Sequence, residues 1–148
     1  MKKMERKASD NKYLHKDFHV SFDLGLAYIG DKFGKEHVSK YLRDYARSYY
    51  KKMTLNELDN YFKFIYEQEE ASDLLETELE DKSLKISVKR CPAMEFMRSQ
   101  NHEPSKYYAE TTKTLYKELA QICGFEFELI EYDDTTGKAE FIFKEASA

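Results

Sequence analysis

The chain has 148 residues, 41% of them apolar and 35% charged, which suits one globular domain and is too short for two well-buried ones. Its 24 Lys and Arg against 28 Asp and Glu leave a net charge of -4, the opposite of a nucleic-acid-binding footprint, and no apolar run approaches the roughly 18 residues of a membrane span. Two cysteines, Cys91 and Cys123, make neither a disulfide framework nor a CxxC metal knuckle, so a reduced, cytoplasmic protein without nucleic-acid or membrane partners is expected.

Residues 1–10 read as a charged lead-in to a single domain spanning 1–148. Their basic start has no apolar segment behind it and is not read as a secretory signal. Ser9 or Asp10 can cap a first helix over Asn11 to Phe33. In that helix Leu14, Phe18, Phe22, Leu26 and Ile29 recur at helical spacing and Gly34 is the stop. Gly25, inside it, is expected to mark a close approach by another backbone. A second helix follows from Lys35 to Lys52, with Val38, Tyr41, Leu42, Tyr45 and Tyr49 as its stripe. Thr54-Leu-Asn-Glu57 matches a capping box and opens a third helix with Leu55, Leu58, Phe62 and Ile65 on its apolar face. The acidic run Glu67 to Glu70 ends it as a solvated turn.

The period then changes from helical to alternating. Leu75, Thr77 and Leu79 alternate with charges, Asp81-Lys82-Ser83 turns, and Leu84, Ile86 and Val88 return, which is the pattern of a β-hairpin. Pro92 can be the first residue of a short helix to Ser99. Gln100 to Glu103 reads as a loop, Pro104 as the opening of a long helix through Tyr108, Thr112, Leu115, Leu119 and Ile122, and Gly124 as its end. A second hairpin closes the chain: Phe125, Phe127 and Leu129, a turn over Asp133 to Gly137, then Ala139, Phe141 and Phe143. The expected fold is α+β, an antiparallel four-stranded sheet of two hairpins packed against about four helices on one face. The one compositional oddity, 12 Tyr and 10 Phe with no Trp, would line a pocket between sheet and helices or fill the core.

Three groups of residues carry candidate chemistry. His15 and His19 lie at i and i+4 on one helix face, and Asp23 continues that face. The spacing suits a two-histidine metal site completed by Cys91, His102 or Glu110, but Lys16 stands where HExxH has its general base. The alternatives are a structural histidine pair, an acid/base or substrate-binding pair, and a metal site; no metal and no other cofactor is expected overall. Cys91 lies in Arg90-Cys91-Pro92, where a strand ends and a helix begins. Backbone N–H groups and Arg90 there favour a thiolate, against the plainer alternative of a buried structural thiol. Cys123 reads as core. Tyr107, Tyr108, Glu110, Thr111 and Thr112 place hydroxyls and one carboxylate at the start of the long helix, either towards a pocket or into the core.

Other features are blander. Asp133-Asp134 is a turn signal, and Tyr49-Tyr50 is a candidate oligomer interface. No Gly-rich phosphate loop and no GxSxG elbow is present, so neither common nucleotide site nor a serine-hydrolase elbow is expected.

The helix from His15-Lys-Asp-Phe-His19 through Leu26-Ala-Tyr28, Phe33-Gly34 and Tyr41-Leu42 combines with Leu84-Lys-Ile-Ser-Val88-Lys-Arg-Cys91-Pro92-Ala93 and the closing Gly137-Lys-Ala-Glu-Phe141 strand. This layout resembles the small bacterial family named for L-2-amino-thiazoline-4-carboxylic acid hydrolase, across about residues 13 to 144. The resemblance implies hydrolytic opening of a thiazoline ring at its C=N carbon to give an N-carbamoyl cysteine, and it carries over Cys91. Such a reaction needs an activated water, a role for His15 or His19. It needs a proton for the ring nitrogen, from Glu110, a Tyr or the second His. It also needs a hold on the substrate carboxylate, from Arg90 or a helix N-terminus. The expected catalytic set is therefore His15, His19, Cys91 and Glu110, with Arg90, Tyr107, Tyr108 and Thr111 binding substrate. The alternatives are a non-enzymatic small-molecule binding or sensing domain with an aromatic pocket, and a dimeric interaction protein, so the expected partners are a small ligand and a second copy.

Overall fold

The computed structural model describes residues 12–146, apart from the side chains of 12–15 and 17. Three helices come first, α1 (Lys12–Phe33), α2 (Lys35–Tyr49) and α3 (Leu55–Gln68). A single 3-10 turn (Ser72–Leu74) leads into the hairpin β1 (Leu75–Leu79) and β2 (Ser83–Val88). Then α4 (Pro92–Ser99) and α5 (Glu110–Cys123) precede the second hairpin, β3 (Phe125–Tyr132) and β4 (Ala139–Glu145). No helix among the described residues is long and apolar enough to cross a membrane.

The fold is α+β, with one antiparallel sheet in the order β1-β2-β4-β3. The two hairpins are joined by pairing β2 with β4, where Leu84 faces Phe143, Ile86 faces Phe141 and Val88 faces Ala139. All six of these residues are buried, while their neighbours Lys85, Ser87, Glu140 and Lys144 are more exposed. Strict alternation of this kind puts one face on the core and the other in water. The covered face packs against α3 and α5 through Leu58, Phe62 and Leu119.

A second cluster joins Leu26 of α1, Val38 and Leu42 of α2, and Ala93, Met94 and Met97 of α4. Tyr107 and Tyr108 complete it from the loop before α5.

Local chemistry explains most boundaries. The capping box at α3 forms as read: the Glu57 amide donates to Thr54 Oγ1 at 3.1 Å and the Thr54 amide to Glu57 Oε1 at 3.2 Å. Pro92 is the first residue of α4 behind Cys91 as N-cap. Gly124 ends α5 in the left-handed region at φ 80, a conformation cheap only for glycine.

Two expectations change. The last helix begins at Glu110, not Pro104. Ser105 is tied instead to α1: its amide and its hydroxyl each donate to the Asp23 carboxylate at 2.8 Å. Residues 105–109 therefore run as successive tight turns. Gly25 is exposed with nothing within 4 Å of where a Cβ would stand, so it marks no close approach. That role belongs to Gly30, on which the Tyr107 ring lies so closely that any side chain would collide with it.

Candidate functional site

Between the two core clusters lies a cavity of about 250 Å³. Small-molecule sites typically occupy about 300–1,000 Å³, so this one suits a compact ligand. All five helices and strands β2, β3 and β4 contribute to its wall. The lining is overwhelmingly aromatic: Phe18 and Phe22 from α1, Tyr45 and Tyr49 from α2, Tyr50 beyond it, Tyr61 and Tyr66 from α3. Tyr108, Tyr116, Tyr132 and Phe141 close the other side. Ring packing explains how so many tyrosines are held. Phe22 and Tyr45 have centroids 5.8 Å apart, Tyr45 stacks on Tyr49 at 5.5 Å, and Tyr49 and Tyr50 meet edge-on at 5.1 Å. Tyr50 then meets Tyr61 edge-on at 5.7 Å, with their hydroxyls 3.3 Å apart.

Tyr132 reaches the cavity because of a bulge. The β3–β4 register slips between Leu129 and Glu131, an extra residue that flips the strand's facing thereafter. Without it Glu131, not Tyr132, would face inward.

Four hydroxyls cluster with one thiol. Tyr66, Tyr108, Tyr116 and Tyr132 each feel the Cys91 thiol electrostatically, and the first three also feel Tyr132. Burial holds all four phenol pKa values far above the ordinary tyrosine range, so all four are neutral O–H groups. Among the described residues none of these four hydroxyls has a protein hydrogen-bond partner. None is sealed in the interior either: among the described residues the orphaned fully buried side-chain atom is Asp59 Oδ1. They face open cavity.

Cys91 is not the thiolate that its place before α4 suggests. Burial pushes its pKa up, and the N–H groups of Met94 and Ala93 only partly offset this. Glu69 and Glu95 push it further the same way. The Arg90 guanidinium gives no help, because it pairs with Glu95 on the exposed surface. Desolvation beats the helix terminus here.

His19 shares the cavity wall with Cys91 and pairs with Glu69, its Nε2 donating to Oε1 at 2.6 Å. Both side chains are largely buried, 18% and 10% exposed. A carboxylate accepts only, so the contact fixes a proton on Nε2.

Of the residues singled out in the sequence as candidates for chemistry, His19, Cys91, Tyr108, Thr111 and Thr112 line this one cavity. The side chain of His15 lies outside the described residues. Glu110 and Tyr107 line a separate cleft, with Lys35 and Lys113. There Glu110 accepts from the Thr114 hydroxyl at 2.5 Å and meets Lys35 at 3.4 Å. Tyr107 donates to Asp31 at 3.3 Å. Arg90 borders a third, polar cleft. His102 donates from Nε2 to Asp23 at 2.7 Å, so the Asp23 carboxylate is tied to the loop. Among the described residues no three His, Cys, Asp or Glu side chains are grouped to hold a metal ion.

Sequence reasoning missed Glu69, Tyr66, Tyr116 and Tyr132. Glu69 was read as solvated, yet it lies just past α3, where the chain turns back and buries it. No protein-family model matches the chain, and no curated protein matches it.

Proposed function

We propose that this domain binds a compact, planar small molecule in the tyrosine-lined cavity. One observation carries the reading: among the described residues, four neutral phenol hydroxyls without protein partners converge on open space beside a neutral thiol. Buried polar groups are as a rule satisfied, and a ligand with polar edges satisfies them while its faces rest on the rings. The apolar wall supplies affinity and the hydroxyls fix orientation.

The test is a ligand-dependent thermal shift with a panel of small heterocycles and amino-acid carboxylates. A ligand that binds only the folded state raises its apparent stability by an amount set by concentration over Kd. The expected result is a saturable shift with at least one member. Thr112→Phe, which fills the cavity from α5, abolishes it. A shift that survives Thr112→Phe, or no shift with any member, counts against the reading.

A second reading makes the domain a hydrolase of cyclic amidines, in line with the family it resembles. The His19–Glu69 pair favours it, because a carboxylate that orients an imidazole is the usual support for a general base. His19 would take a proton from water attacking the C=N carbon while a phenol such as Tyr66 protonates the ring nitrogen. Collapse of the adduct then forms the C=O and breaks the C–S bond, the adduct's hydroxyl proton returning to the phenol and the proton on His19 going to the departing sulfur. Incubation with 2-amino-thiazoline-4-carboxylate, followed by mass spectrometry, tests it. A product heavier by one water, formed about 100-fold more slowly by His19→Ala, is the supporting outcome. Unchanged substrate leaves the binding reading alone.

A further inference from the structure

We propose that the cavity selects an organic cation, a planar amidinium or ammonium group, over neutral and anionic ligands of the same shape. The inference rests on the small-molecule reading above and adds the sign of the ligand's charge. It comes from which charges reach the cavity. None of the described residues lining it is Lys or Arg, and Glu69 is on its wall. Among the described residues the charged side chains that act on the clustered phenols and on Cys91 are mostly carboxylates: Glu69 on Tyr66 and Cys91, Glu95 on Cys91, Asp23 on Tyr108, and Asp133, Asp134 and Glu110 on Tyr132, with the Arg98 guanidinium, outside the cavity wall, acting on Cys91 from the other sign. Lys113 stands 5.2 Å from the Tyr132 centroid, but lines the neighbouring cleft. Among the described residues carboxylates therefore outnumber cations around the cavity.

The wall itself suits a cation. An aromatic face carries partial negative charge, and a desolvated cation over it is stabilised. Phe22, Tyr45, Tyr49, Tyr50 and Tyr61 form an unbroken run of rings along one side, with neighbouring centroids 5.1 to 5.8 Å apart. Phenol oxygens also accept hydrogen bonds from N–H groups. A carboxylate brought here loses its water and, among the described residues of the wall, meets no Lys or Arg. Burying an unpaired anion is costly.

Three probes of one shape separate the possibilities: benzamidinium, benzamide and benzoate, titrated calorimetrically against the full chain at neutral pH. The expected order is benzamidinium tightest, by about fivefold or more over benzamide, with benzoate weakest. Glu69→Gln, which keeps an acceptor for His19, is expected to remove most of that preference while benzamide binding stays within about twofold. Far-ultraviolet circular dichroism confirms that the variant is folded. Benzamide binding as tightly as benzamidinium, or benzoate binding more tightly, overturns the charge selection and leaves the cavity reading standing. No binding by any of the three also overturns it, and the heterocycle panel then decides the cavity reading separately. Benzamidinium binding undiminished by Thr112→Phe overturns it too, since the site would lie elsewhere.

Discussion

His19 Nε2 lies 2.6 Å from Glu69 Oε1 and ties the first helix to the end of the third across the wall of the cavity. The two residues are distant in sequence, and each is largely shielded from water. Removing one partner leaves the other a buried polar group with a lost bond. Glu69→Ala is expected to destabilise the fold by about 1–3 kcal/mol. Glu69→Gln keeps an acceptor and should cost less. Urea unfolding at neutral pH compares them, and equal stability of wild type and Glu69→Ala would show that the contact contributes nothing.

Asp23 is the larger anchor. It is fully buried, and its carboxylate accepts from His102 Nε2, the Ser105 amide and the Ser105 hydroxyl. Those bonds hold the turns that set Tyr107 on Gly30 and Tyr108 in the cavity wall. Asp23→Ala strands three donors and should cost about 3–5 kcal/mol, the range for breaking a buried ionic contact. Where the variant still folds, amide hydrogen exchange should accelerate across residues 102–110 before it does in the sheet. Uniform acceleration throughout would mean that Asp23 does not act on this loop in particular.

Such long-range contacts mark the limit of what the sequence discloses. The helices, both hairpins and the α3 capping box are legible because each follows from local spacing: Thr54 and Glu57, or the alternation of Leu84, Ile86 and Val88. The strand order is not, because pairing β2 with β4 depends on two hairpins meeting. Among the site residues, His19 and Cys91 stand out by type and spacing. Tyr132 does not, since it faces the cavity only through the bulge at Leu129–Glu131. Glu69 hides in an acidic run. Glu110 looks eligible at a helix start, yet the fold gives it to Thr114 and Lys35.

Two glycines should respond oppositely to the same substitution. Gly137 has φ 74, and a Cβ there would collide with the Cys91 Cβ and stand 2.8 Å from Met94 Sδ. Both the backbone and the contact oppose a side chain, so Gly137→Ala should lose about 2 kcal/mol or more. Gly25 is helical, exposed and meets nothing within 4 Å. Gly25→Ala should gain about 0.5–1 kcal/mol. Thermal unfolding of the two variants checks both signs, and a destabilised Gly25→Ala would reveal a contact on that face of α1.

High pH should unfold this protein through its tyrosines. Burial raises the phenol pKa values of Tyr50, Tyr66, Tyr108, Tyr116 and Tyr132 far above the ordinary value of 10.0 and pushes Tyr61 up to about 12. The Cys91 thiol is raised from 9.0 in the same way. A group whose folded pKa exceeds its unfolded one keeps its proton only in the folded state once pH passes the unfolded value. The unfolded chain then binds fewer protons, so stability falls as pH rises. The contribution is complete below about pH 9 and is lost progressively above pH 10, each phenol adding up to about 1.4 kcal/mol per pH unit. Phenolate absorbance near 295 nm from these six phenols should therefore appear only together with loss of circular dichroism. Six phenols that ionise gradually near pH 10 in a still-folded protein would mean that water reaches them freely.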